Sequence, residues 1–369
     1  MRGNPTTHGA FLMTTRYSSL ALLAATLLPL TACDLSMSGD TEGNFEAELE
    51  IGRLNATSAA SDEASRDLPP IGELHLLGYS VSSQFHSDGA ISLGMLAMDT
   101  TGEAILESDI YLEAEVTCDV SFPMGGSIHL GVAHQPDQNR PFQMAINLDG
   151  SGSMSSSDPQ NRRIPASQML IDVIDESFPG STFAAWEFND EVNLLVDFTS
   201  DTNAIKTAVT EVGADGSTRL HDSVQQILQG FATSQTPDAQ PAILLLSDGM
   251  DTASNSDRSA VIAQAKQLGV PIYAVGLGGA LDIPGLDFLD DLQVYAHDTG
   301  GMFAYIDHAG ALEQAFETMA LGISKGYQEI TLVLDGGFYL PFSTCQVDLR
   351  ARAGEQESHA SFEFVVPFG

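Results

Sequence analysis

The chain has 369 residues, of which 43% are hydrophobic and 17% are charged, and this composition excludes a wholly disordered protein. Its 50 Asp and Glu residues face only 14 Lys and Arg residues, which gives a formal net charge of -36 at pH 7. Because this charge repels phosphate backbones and anionic lipid headgroups, it excludes nucleic-acid binding and membrane docking through a basic patch. Cationic partners, and partners that bind through a metal ion, remain open.

The N-terminal segment, residues 1–32, has the pattern of an export signal. A short apolar run follows Arg16 and ends in Leu30, two small residues and then Cys33, and it is too short to span a bilayer. This order resembles the lipobox of a bacterial lipoprotein signal peptide, which implies cleavage before Cys33 and lipidation of its thiol. A plain cleaved signal followed by a chance cysteine is the alternative. The resemblance implies a lipid-anchored protein of the bacterial cell envelope, on the periplasmic side or at the cell surface.

The next segments differ in their pattern of apolar residues. Residues 33–70 are rich in Ser, Ala, Asp, Gly and Pro, so we expect a tether and linker there, with a short strand possible over 45–54. Alternating apolar runs separated by turn residues predict a small antiparallel β-rich module over 71–140. Residues 327–369 return to the same pattern, and we expect these C-terminal strands to pack with that module.

Two cysteines lie outside the signal segment, Cys118 and Cys345. An exported protein meets an oxidising compartment, where two remaining thiols favour one disulfide. Two buried free thiols are the alternative.

Between the two β-rich segments, residues 141–326 alternate short apolar strands with amphipathic helical segments. Several of the strands lack polar alternation, which is typical of parallel strands buried on both faces. This pattern predicts an α/β fold with a doubly wound, mostly parallel, Rossmann-like sheet, beside the smaller antiparallel β-module.

The residues with the clearest chemical meaning follow the predicted strands of this α/β region. Asp149, Ser151 and Ser153 form a D-x-S-x-S sequence directly after the first strand, where such folds bind ligands. Thr218 lies in GSTRLHD, and Asp248 ends the strand in LLLSDGMDT. This set resembles the von Willebrand factor A family, whose metal-ion-dependent adhesion site takes D-x-S-x-S from one loop, Thr from a second and Asp from a third. The resemblance covers the α/β region, about half of the chain.

The resemblance implies a divalent cation bound by these five residues, Mg²⁺ first, with Mn²⁺ or Ca²⁺ as alternatives. Hydroxyl and carboxylate oxygens suit a hard cation, and neutral hydroxyls leave its charge only partly compensated. An exposed coordination position would then attract an Asp or Glu side chain of a protein partner. The implied function is adhesion or another protein-protein interaction, and the protein is expected not to be an enzyme.

Three other functions stay open. The chain could be an accessory subunit of a MoxR or chelatase-type ATPase, although export to a compartment poor in ATP argues against this. It could be a structural envelope protein in which the metal only stabilises the loops. A hydrolase that uses metal-activated water is disfavoured because the ligand set is rich in hydroxyls and has no obvious neighbouring base.

Other residues in this region receive structural interpretations. We expect Asp222 and Asp251 to cap and orient their loops, and His221 to face solvent at the start of a helix. Asp291 is expected on the solvent-exposed face of its segment. Trp186, in a buried strand, is expected in the core.

Overall fold

The computed structural model describes residues 53–366, except for 62, 83–84, 107–108, 235, 237, 279–289 and 342. The predicted signal segment, the lipidation site at Cys33 and the first part of the predicted linker lie outside the described residues. In chain order, the strands are β1 (Arg53–Ser58), β2 (Ile71–Val81), β3 (Ala90–Asp99), β4 (Tyr111–Cys118), β5 (Phe122–His134), β6 (Phe142–Asp149), β7 (Thr182–Phe188), β8 (Val192–Thr199), β9 (Gln240–Ser247), β10 (Ile272–Leu277), β11 (Phe303–Ile306), β12 (Tyr327–Phe338), β13 (Thr344–Ala353) and β14 (Gln356–Val365).

The α-helices lie mainly between the strands of the central region. They are α1 (Phe85–Asp88), α2 (Met154–Ser157), α3 (Arg163–Ser177), α4 (Thr202–Ala208), α5 (Leu220–Ser234), α6 (Arg258–Leu268), α7 (Asp290–Thr299) and α8 (Leu312–Lys325). Within the described residues, no helix combines the length and the apolar character needed to cross a bilayer.

Six strands form one sheet in the order β11-β10-β9-β6-β7-β8. All neighbouring pairs are parallel except β7 with β8, which is an antiparallel hairpin. Every residue of the central strand β6 is buried, as expected for a strand covered by helices on both faces. This confirms the predicted α/β fold with a mostly parallel sheet.

Alternate residues of β6 pack into two different cores, one on each face of the sheet. Met144 and Ile146 belong to the core that includes Leu170 of α3 and Phe316 of α8. Ala145 belongs to the opposite core, which α5, α6 and α7 cover. The two-residue period of the strand thus distributes its side chains between the helical layers.

Eight strands form the second sheet, in the order β14-β13-β4-β1-β5-β12-β3-β2. Its pairs are antiparallel except β1 with β5. The rings of Tyr79 on β2 and Phe362 on β14 are 4.9 Å apart, and the Tyr79 hydroxyl donates a hydrogen bond of 2.6 Å to the carbonyl of Glu363. The two edge strands therefore approach each other, and the sheet is partly barrel-like. Cys118 of β4 and Cys345 of β13 face each other in register and form a disulfide.

Part of the segment predicted as a linker is a strand of this sheet. Residues Arg53–Ser58 form β1, which pairs with β4 on one side and β5 on the other. Its buried side chains include Leu54 and Ala56 at alternate positions. The linker prediction is therefore wrong for residues 55–58, whereas Arg53 and Leu54 lie at the end of the segment 45–54 in which a short strand was possible. Polar neighbours and the small size of alanine hid the rest of this strand.

The edge strand β11 of the parallel sheet lies against β2 of the eight-stranded sheet. Gly78 of β2 lies against Phe303 at the start of β11, and Leu77 packs beside Met302 in the same core. Because β6 and β9–β11 are mutually parallel, their carboxyl ends lie together at one edge of their own sheet. That edge carries the predicted site.

Candidate functional site

Three loops meet at the carboxyl edge of the parallel sheet. The first follows β6 and begins at Gly150, the second precedes α5 and includes Thr218, and the third follows β9 and begins at Asp248. Since β6 and β9 are adjacent parallel strands, Asp149 and Asp248 lie at neighbouring strand ends. The fold thus places the predicted site residues at one edge.

Asp149 is fully buried at the end of β6. Its Oδ1 accepts a hydrogen bond of 2.7 Å from the backbone N–H of Ser151, and its Oδ2 accepts one from the hydroxyl of Ser247. The first bond curls the loop back over the carboxylate, so that the chain turns immediately after the strand.

The hydroxyls of Ser151 and Ser153 connect Asp149 to the third loop. Their Oγ atoms are 3.0 Å apart, and the Ser153 hydroxyl donates a 2.7 Å hydrogen bond to Oδ1 of Asp248. The hydroxyl of Ser157, on α2, donates to Oδ2 of the same carboxylate. Four of the five predicted residues therefore belong to one hydrogen-bonded cluster.

Thr218, the fifth predicted residue, is buried on the second loop. Its backbone N–H donates to Oγ1 of Thr252 at 2.9 Å, and its carbonyl accepts from the backbone N–H of Thr252 at 2.9 Å and of Ala253 at 3.1 Å. These bonds fix the threonine to the third loop, downstream of Asp248.

The first and second loops are joined by their backbones. Gly152 N–H donates to the carbonyl of Gly216 at 3.0 Å, and Asp215 N–H donates to the carbonyl of Gly150 at 2.8 Å. Beneath them lies Glu187 of β7, so close that a Cβ atom at Gly150 would be 2.5 Å from its Oε1. Only glycine fits this position of the first loop without displacing that carboxylate.

The carboxylates of Glu187 and Asp190 hold the second loop through hydrogen bonds. Oε1 of Glu187 accepts a 2.7 Å hydrogen bond from Gly213 N–H. Oδ1 of Asp190, in the β7–β8 hairpin, accepts bonds from the N–H of Ser217 at 2.9 Å and from its hydroxyl at 2.6 Å. The hydrogen bond from the Ser217 hydroxyl, together with the one from its backbone N–H, lowers the pKa of Asp190 from its usual value. The loop that carries Thr218 is thus positioned by acceptors from β7 and its hairpin.

A buried ion pair supports the same loop from the side of α3. Nη1 of Arg163 lies 2.8 Å from Oδ2 of Asp158, and both side chains are fully shielded from solvent. Nη2 of the arginine donates a 2.7 Å hydrogen bond to the carbonyl of Gly213. The pair therefore connects the segment that follows the first loop with the start of the second.

The electrostatic state of Asp149 is unusual. Burial, followed by repulsion from Asp248, raises its pKa to about 6, and hydrogen bonds from Ser151 and Ser247 offset this only in part. A carboxylate in this position is incompletely stabilised by its neighbours. A cation at the cluster would supply the missing countercharge.

The chemistry of the donor set fits a hard divalent cation. Carboxylates and neutral hydroxyls are the oxygens that such ions prefer in proteins, and here they come together at a loop edge. Among the described residues, no group of three or more His, Cys, Asp and Glu side chains could hold a metal ion. A site here would therefore depend on serine and threonine hydroxyls beside two carboxylates.

The predicted loop-orienting roles of Asp222 and Asp251 are confirmed. Asp222 accepts hydrogen bonds from the backbone N–H of Asn255 and Ser256 and from the Ser256 hydroxyl. Asp251 accepts from the N–H of Ser254 at 3.0 Å and from that of His221 at 3.1 Å. These bonds tie the third loop to the start of α5.

The prediction that His221 faces solvent is wrong, as is the placement of Asp291 on a wet face. The His221 side chain is only 12% exposed, and its Nδ1 lies 3.0 Å from the hydroxyl of Tyr295. Asp291 is 16% exposed and pairs with Arg258 at 2.7 Å. The periodicity of a single helix did not show that α5, α6 and α7 meet at this edge.

Other residues of the site gave little sequence signal. Trp186 packs against the core but is half-buried, so the expectation of a core residue holds only in part. Ser247 directly precedes Asp248 and could have been found from the strand-end sequence LLLSD. Ser157, Glu187 and Asp190 come from elements whose proximity depends on the tertiary fold.

Comparison with known proteins gives a match for this region. The model of the von Willebrand factor type A domain matches residues 144–250, a range that includes Asp149, Ser151, Ser153, Thr218 and Asp248. No curated protein matches the chain.

The solved structures to which the chain is similar have low sequence identity and low TM-scores. An aerotolerance-related membrane protein from Bacteroides fragilis is 19% identical, with 48% of this chain and 98% of that chain covered and a TM-score of 0.37. The vWF domain of the type V pili tip protein Mfa5 from Porphyromonas gingivalis is 15% identical, with 50% and 95% covered and a TM-score of 0.41. A von Willebrand factor type A protein from Catenulispora acidiphila is 14% identical, with 81% and 74% covered and a TM-score of 0.41.

Proposed function

We propose that this chain is an envelope-anchored binding protein that captures a carboxylate of a protein partner at the carboxyl edge of its parallel sheet. A divalent cation, Mg²⁺ first and Mn²⁺ or Ca²⁺ as alternatives, would be held there by Asp149, Ser151, Ser153, Thr218 and Asp248. The observation that carries the proposal is the hydrogen-bonded cluster of two carboxylates and two serine hydroxyls that joins the first and third loops.

Each of these residues has a definite task in the proposal. Asp149 and Asp248 compensate part of the cation's charge, and the three hydroxyls supply oxygen without adding charge. When bound, the cation supplies an electrophilic position that a partner's Asp or Glu can occupy. The residues around it therefore support binding and not catalysis, and we propose no enzymatic activity.

The loops are held in advance by groups that do not belong to the ligand set. Glu187 and Asp190 fix the second loop, and Asp222 and Asp251 fix the third. Preorganisation of this kind lowers the conformational entropy that binding would otherwise cost. It suits a site that recognises a partner on a rigid edge.

We also propose that Cys33 anchors the chain to an envelope membrane through a lipid. The support is the order of charged, apolar and small residues before the cysteine. Mass spectrometry of the protein purified from a bacterial membrane fraction tests this: a mature N-terminus at Cys33 with an acyl modification is expected. An unmodified N-terminus elsewhere would refute the anchor and leave the binding site untouched.

Calorimetric titration of Mg²⁺, and then of Mn²⁺, into the purified protein tests the site. Saturable binding is expected for the parent, and Asp149→Ala or Ser151→Ala should abolish it. Ser156→Ala is the matched control, because Ser156 is an exposed serine in the adjacent turn of α2 and should leave binding unchanged. Equal heats of binding for all four proteins would mean that the ion binds only nonspecifically to the acidic surface, and the proposal would fail.

A structural role for the metal is the second candidate. It is favoured by the two hydrogen bonds that Asp248 accepts from Ser153 and Ser157, since they make the cluster a link between loops. Capture of a partner from an envelope extract separates the two functions. Recovery that requires Mg²⁺ and is lost in Asp149→Ala supports partner binding, whereas metal binding without such recovery supports the structural role.

A further inference from the structure

One end of the eight-stranded sheet has an unusually apolar surface. Large hydrophobic side chains that are strongly exposed gather there, with exposed fractions from 38% to 69%. They are Val120, Met124, Phe338, Leu340 and Val365. We call these five residues the apolar end of the sheet.

The strand register places all five residues at this end. Phe338 pairs with position 122 at the start of β5, which puts it beside Met124. Val365 pairs with Thr344 at the start of β13, and Val120 lies two residues after Cys118, which pairs with Cys345. Leu340 N–H donates a 2.9 Å hydrogen bond to the hydroxyl of Ser121, which follows Val120. The five side chains therefore come from the junction of β4 with β5, the junction of β12 with β13 and the end of β14, all at a single sheet end.

The chain that precedes the first strand joins the molecule at the same end. Arg53, the first residue of β1, pairs with Thr117, one residue before Cys118. The 52 residues before Arg53 contain the apolar run and Cys33. A lipid on Cys33 would thus be connected to the sheet through the end that carries the exposed hydrophobic side chains.

The α/β region joins at the other end of the same strands. β5 runs from the apolar end to His134, which pairs with Tyr327 where the chain returns from α8. A strand of this length spans about 40 Å. The eight-stranded sheet therefore separates the apolar end from the connections to the α/β region.

We propose that the apolar end rests on the surface of a lipid bilayer, in the boundary between headgroups and acyl chains. The inference rests on the proposed anchor at Cys33. Five side chains fall short of the 20 to 30 residues per side that a stable dimer interface needs, whereas an interfacial contact beside a lipid needs only a few apolar groups. Asp119 and Asp335 are exposed among them, so the surface suits zwitterionic lipid and is repelled by anionic lipid.

This docking would orient the molecule. The α/β region would stand away from the bilayer, because it joins β5 and β12 at the ends that lie opposite the apolar end.

Quenching of tryptophan fluorescence by brominated phosphatidylcholine tests the docking with the full chain. The protein is purified from the membrane fraction of a bacterial host and reconstituted into vesicles. Trp186→Phe removes the single native tryptophan, and Met124→Trp or Phe338→Trp then reports on the apolar end. Val132→Trp is the matched control, because Val132 is 62% exposed but lies near the other end of β5.

Brominated lipid should lower the fluorescence of the Met124→Trp and Phe338→Trp variants about twofold and leave the Val132→Trp variant unchanged. Vesicles that retain the protein but quench none of the three, or all three equally, would overturn the docking while leaving the anchor intact. Protein that is not retained by vesicles would refute the anchor and the docking together. A fluorescence change that grows with protein concentration in the absence of brominated lipid would assign the apolar end to a second copy of the chain and overturn the proposal.

Discussion

Asp158 and Arg163 form an ion pair that is entirely shielded from solvent, and the arginine also donates to the carbonyl of Gly213. Asp158 accepts further bonds from the backbone N–H of Arg162 at 2.7 Å and of Arg163 at 3.1 Å. One guanidinium thus links the start of α3 to the loop that leads to Thr218. Removal of one member of such a pair leaves a buried charge without compensation.

We expect Arg163→Gln to lower the free energy of unfolding by about 3–5 kcal/mol, because the Asp158 carboxylate stays buried. Urea denaturation in the presence of a chelator measures this. Arg162→Gln is the control: its guanidinium is 40% exposed, lies 3.6 Å from Glu313, and should contribute less than about 1 kcal/mol. Similar losses in the two variants would show that the buried pair has no special role.

The raised pKa of Asp149 predicts a specific pH dependence of stability without metal. Its folded pKa of about 6 lies above the usual value of 3.8 for an aspartic acid, so protonation stabilises the folded state. This contribution is fully present below pH 3.8 and is lost as the pH rises through 6, which amounts to about 3 kcal/mol. Asp149→Asn lacks the titration, so its unfolding free energy should fall less than that of the parent between pH 4 and pH 7 in chelator.

Urea denaturation of both proteins at several pH values gives the comparison. Other carboxylates titrate in both, so only the difference between the two curves reports on Asp149. If that difference is constant from pH 4 to pH 7, Asp149 is not a buried carboxyl with a raised pKa.

The same group should make metal affinity depend on pH. A cation at the cluster needs the ionised form of Asp149, so a proton competes with it below about pH 6. We expect the apparent Kd for Mg²⁺ to rise about tenfold for each pH unit below 6 and to be nearly constant above it. Calorimetric titration between pH 5 and pH 8 measures this, and an affinity that is flat over the whole range would contradict it.

Much of the α/β fold could be predicted because its strands and helices differ clearly in periodicity. Strands such as β6 are mainly apolar and lack polar alternation, and the helices carry one apolar face, so local sequence was sufficient. β1 gave a weaker signal, because Leu54 and Ala56 are its only apolar positions and lie in a polar segment. Its place between β4 and β5 is decided by long-range pairing.

In the candidate site, too, some residues could be predicted from local sequence and others depend on the tertiary fold. Asp149, Ser151, Ser153 and Asp248 could be proposed because they lie at recognisable strand ends and match the motif of the von Willebrand factor A family. The groups that hold the loops, such as Glu187 and Asp190, lie in another strand and its hairpin, and their role depends on the order of strands in the sheet. His221 was misplaced for the same reason, since its environment comes from α7.

Substitution of Gly216 should affect metal binding as well as stability, because a Cβ atom there would do more than strain the backbone. Gly216 has φ +84° and Gly180 has φ +92°, so a Cβ atom strains both by about 1–2 kcal/mol. At Gly216, however, the Cβ would lie 2.7 Å from Oδ2 of Asp190, whereas at Gly180 it would meet no atom within 4 Å. We expect Gly216→Ala to displace Asp190, to disturb the loop of Thr218 and to weaken Mg²⁺ binding in calorimetry. Gly180→Ala should lose stability alone, and equal metal affinity in the two variants would contradict the prediction.

The disulfide between Cys118 and Cys345 should stabilise the eight-stranded sheet. It joins β4 to β13 across a sequence separation of 227 residues, and both cysteines are buried. Cross-linking so distant a pair restricts the unfolded chain strongly, and we expect a contribution of roughly 2–5 kcal/mol. A reductant should therefore lower the urea midpoint of the parent and leave that of the double variant Cys118→Ser, Cys345→Ser unchanged. Because β13 also supports β14 at the edge of the sheet, the loss should appear in the whole cooperative transition. A parent whose midpoint does not respond to reductant would show that strand pairing alone holds this edge.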